Sequence, residues 1–235
     1  MNLADKKVKL TIINIGEMMK TVNIGAALIV GLLSISANAA TIDFGIGAPT
    51  PGTISYAGGS TSLIGSGIEV DTIVGLGTTL NPDTIFDCDT CVLGFTTGTN
   101  TGGWDFGSGG TISILGGVTA AGIAVGSTLL SGTFDSASVI DVGGGTLNFK
   151  ITGGSFLDTK HPDLLTFFGL PTGDYVGGFN ISFSTSGTPS VGDAFTSNEL
   201  FSGDVVNSPV PVPAAAWLFG SGLLGLVGIA RRKKA

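Results

Sequence analysis

The sequence predicts an all-β protein, an antiparallel sandwich or jelly roll with one short helix, framed by an apolar segment at each terminus. Three observations lead there. Between residues 41 and 208, short runs rich in β-branched and aromatic residues alternate with Gly, Asp, Asn and Ser, the punctuation of strands and turns. Long helical patterns are missing. Three stretches, Thr111-Ile112-Ser113-Ile114, Asn148-Phe149-Lys150-Ile151 and Phe179-Asn180-Ile181-Ser182-Phe183-Ser184, alternate polar and apolar residues, as a sheet with one wet face requires. Many strands with close turns imply the antiparallel sandwich or jelly roll. A β-solenoid is the second architecture, but no fixed repeat period supports it.

The chain divides into residues 1–40, 41–208 and 209–235. In the first part, Met19-Lys20 opens a short basic region, Ile24 to Ile35 is largely apolar, and Ser36-Ala37-Asn38-Ala39 has the small-x-small pattern of a signal-peptidase site. Cleavage is expected after Ala39 or Ala40, with Ala37 the other small residue of the site. Residues 1–17 carry Lys6, Lys7 and Lys9 without a continuous apolar core. They read as an extended basic leader, or as a start placed upstream of Met18 or Met19. An uncut anchor is the alternative, and the apolar run is short for it.

In the middle part, strands are expected near 41–46, 52–57, 67–75, 91–96, 104–107, 110–116, 127–134, 137–142, 145–152, 179–185 and 200–206. Gly109-Gly110 and Gly143-Gly144-Gly145 are expected at hairpins, since glycine accepts a positive φ. His161-Pro162-Asp163-Leu164-Leu165-Thr166-Phe167-Phe168-Gly169 reads as a short helix, with proline early and glycine at its end. It is expected to lie across a sheet edge or sandwich end and to bury Leu164, Leu165 and Phe168. With 14 Phe against two Trp and two Tyr, the core is expected to be rich in phenylalanine, and an aromatic sugar-stacking platform would be short of its usual residues.

Charge narrows the function. The chain carries a formal net charge of −7. That value hides a more acidic middle, where 15 acidic residues face two basic ones, Lys150 and Lys160. Nucleic-acid binding is disfavoured, because no basic patch exists to neutralise phosphates. Self-repulsion suits a soluble, secreted domain and attracts divalent cations.

Few residues suggest chemistry, and no cofactor is expected. Cys88 and Cys91 form C-D-T-C, which in an exported chain reads as a disulfide tying a loop. A redox pair is the alternative, but Asp87 and Asp89 would raise the thiol pKa. Two Cys and one distant His do not make a zinc set. Asp83, Asp87 and Asp89 are the densest carboxylate group, a candidate for calcium, against the plainer reading of solvated Asp at turns. His161 is the only histidine. No G-x-S-x-G elbow accompanies a strand–helix unit, and no glycine-rich run leads into Lys-Ser/Thr, so hydrolase and phosphate-loop arrangements find no support. A paired-carboxylate glycosidase stays open, because carboxylate separation is invisible in sequence.

The last part is the most ordered. Residues 209–235 read P-V-P-V-P-A-A-A-W-L-F-G-S-G-L-L-G-L-V-G-I-A-R-R-K-K-A. Pro209, Pro211 and Pro213 keep the chain extended. Ala214 to Ala230 is 17 residues without a charge, about 25 Å as a helix, slightly short of a ~30 Å hydrocarbon core. Trp217 falls near the outer interface, and Arg231, Arg232, Lys233 and Lys234 hold the C-terminus on the cytoplasmic side. Gly220, Gly222, Gly225 and Gly228 weaken the helix, each by ~1 kcal/mol relative to Ala, and the last three open a groove that another helix could approach.

This tail, from Val210 to Leu226 with its basic cluster, resembles the PEP-CTERM sorting signal of Gram-negative bacteria. Val212 stands where the Glu of the Pro-Glu-Pro signature would be, between Pro211 and Pro213. The resemblance implies export, an inner-membrane precursor, and cleavage by an exosortase, a membrane cysteine transpeptidase-like enzyme. The chain would then be that enzyme's substrate and not a catalyst, delivered to the cell surface or the exopolysaccharide matrix, with a link to biofilm formation. The expected partners are the exosortase, the export machinery and the inner membrane, with the exopolysaccharide a further one. The alternatives are an ordinary, uncut C-terminal anchor and, for the middle domain, a sugar-binding adhesin assisted by calcium, or a secreted hydrolase.

Overall fold

A computed structural model describes residues 40–143, 148–187 and 189–210. The strands are β1 (Thr41–Ile46), β2 (Thr53–Tyr56), β3 (Ser62–Leu76), β4 (Ile85–Gly102), β5 (Asp105–Phe106), β6 (Thr111–Val118), β7 (Ile123–Asp141), β8 (Asn148–Lys160), β9 (Tyr175–Thr185) and β10 (Phe195–Pro209). The helix α1 spans Pro162–Phe168.

Every strand pair is antiparallel, and the pairing returns on itself. β3 pairs with β4, β4 with β6, β6 with β7, β7 with β8, β8 with β9 and β9 with β10. β1 and β2 then lie end to end between β10 and β3. β5 and β6 share the place between β4 and β7 in the same way. The ring thus has eight positions, visited in chain order. Among the described residues closure leaves no open sheet edge, and an eight-position ring encloses a space that side chains can fill.

The antiparallel all-β expectation therefore holds, but jelly-roll connectivity does not. A jelly roll needs long connections that cross between strands distant in sequence, whereas here successive positions of the ring are filled in chain order and only the closing contact with β10 joins distant strands. The two sides of the ring still face each other across a packed core, as in a sandwich. Phe95 on β4 meets Phe179 on β9 at 5.0 Å between ring centroids, and Tyr56 on β2 meets Phe106 on β5 edge-on at 5.2 Å. Alternation sends Ile42, Phe44 and Ile46 inward from β1, and Tyr175, Phe179, Ile181 and Phe183 from β9. Much of the outward set is Ser, Thr and Asp. Among the described residues no helix is long and apolar enough to cross a membrane.

Two expectations at glycines divide. Gly143, with φ 72°, lies in the β7–β8 connection, as a hairpin glycine should. Gly109 and Gly110 do not make a hairpin; they lie in the break between β5 and β6, which continue in one direction. At Gly110, with φ 75°, a Cβ would stand 2.0 Å from the Thr96 carbonyl oxygen, so the backbones approach too closely for any side chain. Several strands outrun their expected lengths. The expected 127–134 and 137–142 strands are one strand, β7, with irregular register against β8 near Phe134 and Ser136, and such bulges keep a strand paired across a sequence irregularity.

The helix forms where expected. The His161 side chain accepts from the Asp163 N–H, Pro162 takes the first turn, and Gly169 ends the helix with φ 67°. These are the residues that satisfy the free donors and acceptors of a helix end. Leu164, Leu165 and Phe168 are buried, so α1 closes one end of the ring.

Candidate functional site

A polar groove of about 380 Å³ lies on the outer face, lined in part by Asp71, Thr72, Lys150, Asn180, Ser182 and Asp204. It forms because β1 brings Gly45 to the outside between β3 and β10, where any side chain would collide with Thr72 Oγ1 at 2.5 Å. The missing side chain leaves a floor, and the neighbouring strands make the walls. Asp71 Oδ2 accepts from the Gly47 N–H at 2.6 Å, and Asn180 Nδ2 donates to Asp204 Oδ2 at 3.0 Å.

Asp43 lies two residues before Gly45 on the same outward face, with its Oδ1 buried and without a hydrogen-bond partner. Burial, and then the charge of Asp204, push its carboxyl up to about 6. A carboxyl raised in this way is most favourable to the fold while protonated. Its stabilising effect is complete below the unfolded value near 4 and is lost as pH rises through about 6. Asp43→Asn is expected to leave thermal stability at pH 4 unchanged and to raise it at pH 7.5. The gain should be on the order of 1 kcal/mol once solvent screening at this half-buried site is allowed for. Melting curves of both proteins at the two pH values check this.

A second polar cluster lies inside the ring near α1. Asp158 and Lys160 project inward from β8, with both side chains fully buried, and the Lys160 Nζ donates to Asp158 Oδ1. The same Nζ lies 4.8 Å over the Tyr175 ring, a favourable seat for a cation. Asn207 projects inward from β10, its Nδ2 donating to the Val205 carbonyl at 3.2 Å. Asp158 Oδ2 and Asn207 Oδ1 are buried without partners. Gly177 makes the space: a Cβ there would meet Phe156 at 2.1 Å and Asn207 Oδ1 at 2.6 Å. Burial brings the Lys160 ammonium down to about 6, and it raises the Tyr175 phenol to about 12.

The residues singled out by sequence are placed as follows. Cys88 and Cys91 are joined in a disulfide within β4, and Cys91 is 1% exposed. Its sulfur is packed against Gly116, where a Cβ would stand 2.3 Å away, so this half of the bond offers no open sulfur to a redox partner. The bond closes a very short loop, for which the chain-entropy relation gives about 2 kcal/mol. Replacing both cysteines by serine is expected to lower the free energy of unfolding by no more than that amount without altering the far-ultraviolet spectrum, as equilibrium urea unfolding would read.

Asp83, Asp87 and Asp89 do not converge. Asp89 Oδ2 accepts from the Thr119 N–H at 2.8 Å and from the Thr119 hydroxyl at 2.7 Å, bonds that hold its carboxyl below its usual range, the hydroxyl first. Asp83 Oδ1 accepts from the Gly77 N–H at 3.3 Å, and Asp87 is exposed on β4 opposite Thr72. Among the described residues no three such ligands gather as a metal site would need. Tyr56, Trp104 and Tyr175 are all buried, so none of them offers a flat stacking surface.

Val210 is described, its N–H donating to the Asp174 carbonyl at 3.1 Å, and Ala40 packs partly against the core. Ala37, Ala39, Pro211, Val212, Pro213, Trp217, Gly220, Gly222, Arg231, Arg232, Lys233 and Lys234 lie outside the described residues. The groove residues were not singled out by sequence, because they come from five strands spread over the whole domain. The only local signal for most of them is an outward place in the strand's alternation; Asp71 and Thr72 both face outward because the register of β3 shifts between Val70 and Thr72.

No protein-family model, curated protein or solved structure matches this chain. The class the molecule defines is a closed, antiparallel, eight-position barrel filled by aromatic side chains.

Proposed function

We propose that this protein is an exported, non-catalytic component of the cell surface or the exopolysaccharide matrix, sorted through its C-terminal tail and cut there by an exosortase. The observation that carries this reading is the fixed order of residues 209–235: a proline lip, an uncharged run of 17 residues, and four consecutive basic residues. The N-terminal segment, with its small-x-small site at Ala37 and Ala39, supplies entry to the export route. The barrel suits life outside the cell. It is acidic, closed and disulfide-bonded, and its interior is occupied by side chains.

The test is to express the chain with its tail intact, with residues 211–235 deleted, and with Arg231, Arg232, Lys233 and Lys234 changed to Gln. Cell fractions are then followed by intact mass. The expected result is that only the intact chain reaches the surface or matrix, with a mass short of the residues after the proline lip. Full-length exported protein would leave the uncut anchor as the reading, and identical distribution of all three forms would overturn the sorting role.

The groove favours one second reading, a weak sugar-binding module. Asp71, Lys150, Asn180, Ser182 and Asp204 offer the carboxylate, amide, hydroxyl and ammonium groups that hydrogen-bond to hydroxyl-rich ligands. Asp204→Ala would then abolish retention on immobilised exopolysaccharide, whereas a purely structural component would be retained equally with or without it.

A further inference from the structure

Both described termini leave the barrel at the same end. Thr41 opens β1 opposite Leu76, the last residue of β3. Pro209 closes β10 opposite Tyr175, the first residue of β9. That end also carries the 77–84 connection, the 119–122 turn and α1. The chain is pinned beyond β10 by the bond from Val210 N–H to the Asp174 carbonyl. Only residues 211–213 separate that point from the uncharged run that starts at Ala214. Four residue steps of extended chain reach no more than about 14 Å. With the run seated in a bilayer, this end of the barrel is held at the depth of the lipid headgroups or just above them.

The surface at this end is suited to that position. Leu80 is 53% exposed, Ile85 68% and Val125 62%, and Phe86 and Phe167 meet edge-on beside them, 4.9 Å between centroids. Apolar side chains of this kind gain from entering the interface between headgroups and acyl chains. The exposed charges at this end are carboxylates, among them Asp83, Asp87, Asp163 and Asp174, which points to a headgroup layer without excess negative charge.

From these placements we propose that the α1 end of the barrel docks on the lipid surface, with Leu80, Ile85 and Val125 entering the interface, for as long as the tail is attached. The proposal rests on the reading of the tail as a membrane-spanning segment. Docking would present the short lip at residues 211–213 at the membrane surface, and removal of the tail would release the same face.

The experiment uses the full chain reconstituted in phosphatidylcholine vesicles. The native cysteines are joined to each other, so a single new thiol can carry an environment-sensitive fluorophore. Ile85→Cys and, separately, Leu80→Cys place it at the docking end, and Val191→Cys, 72% exposed in the native chain, at the other. Quenching by a nitroxide carried at headgroup depth is expected to be several-fold stronger at 85 and 80 than at 191. Vesicle sedimentation is read in the same samples. Protein that sediments but is quenched equally at all three positions overturns the docking and leaves the anchor intact. Protein that does not sediment overturns the anchor and the docking together. Shielding at 85 without quenching, growing with protein concentration, would assign this end to a second copy of the chain and overturn the proposal.

Discussion

Phe134→Ala is expected to cost the barrel about 3–5 kcal/mol, the range for removing a buried aromatic ring. Phe134 is 2% exposed and sits among three other rings. Its centroid lies 5.9 Å from Phe95, 5.9 Å from Phe156 and 5.6 Å from Phe179, all close to edge-on. These rings come from β4, β8 and β9, so one deletion opens a space shared by strands from opposite sides of the ring, and no single strand can move in to fill it. Since small domains are stable by only about 5–15 kcal/mol, the loss is a large fraction of the total. Urea unfolding followed by circular dichroism should show a much lower midpoint with a similar slope. Phe167→Ala, at a half-buried ring beside α1, should cost far less, and equal effects at the two positions would mean that the ring interior is not the centre of stability.

Lys160→Ala is expected to be comparably damaging at pH 8, by about 3–5 kcal/mol, because it opens a cavity and leaves both Asp158 oxygens buried without a hydrogen-bond partner. The paired change Lys160→Met with Asp158→Leu removes both charges and keeps the volume. It is expected to be neutral or stabilising, since two buried polar groups, with one oxygen unpartnered, are exchanged for apolar packing of similar shape. The pH dependence separates the two effects. A lysine held at about 6 in the fold, against 10.4 in an open chain, releases a proton on folding throughout that interval. The stability it contributes is complete above the open-chain value and is lost as pH falls through about 6. The melting temperature of the native chain should therefore rise from pH 6 to pH 9, and the doubly substituted chain should lose that rise. Asp43 acts in the opposite direction below pH 6, which places the least stable point between the two ranges. A native melting temperature that stays flat from pH 6 to pH 9 would show that Lys160 keeps its charge in the fold.

Much of the local structure was legible because local chemistry alone sets it. The alternation at Thr111–Ile114 and Phe179–Ser184 predicts strands, and both are strands with their apolar residues inward. His161-Pro162 and Gly169 predict the ends of α1 by satisfying its free backbone groups, and both ends are where they should be. The disulfide followed from cysteine spacing in an exported chain, and the pair is bonded. Strand limits were less legible. β3 begins at Ser62, several residues ahead of its expected start, because pairing with β2 and β4 carries it through Gly65 and Gly67, glycines that local propensity treats as breakers.

An acidic, antiparallel β domain between two apolar terminal segments can be read from the residues in order, because alternation, turn residues and charge are properties of neighbours along the chain. Tertiary structure alone decided that the strands close into a ring, since β1 meets β10 across the whole length of the domain. It also decided that Asp43, Asp71, Asn180 and Asp204 share one outer face. The buried pairing of Lys160 with Asp158 and the placing of Thr41 and Pro209 together at the α1 end follow from the same closure. Each of these depends on residues distant in sequence being brought together, and a pattern read over neighbouring residues holds no record of that.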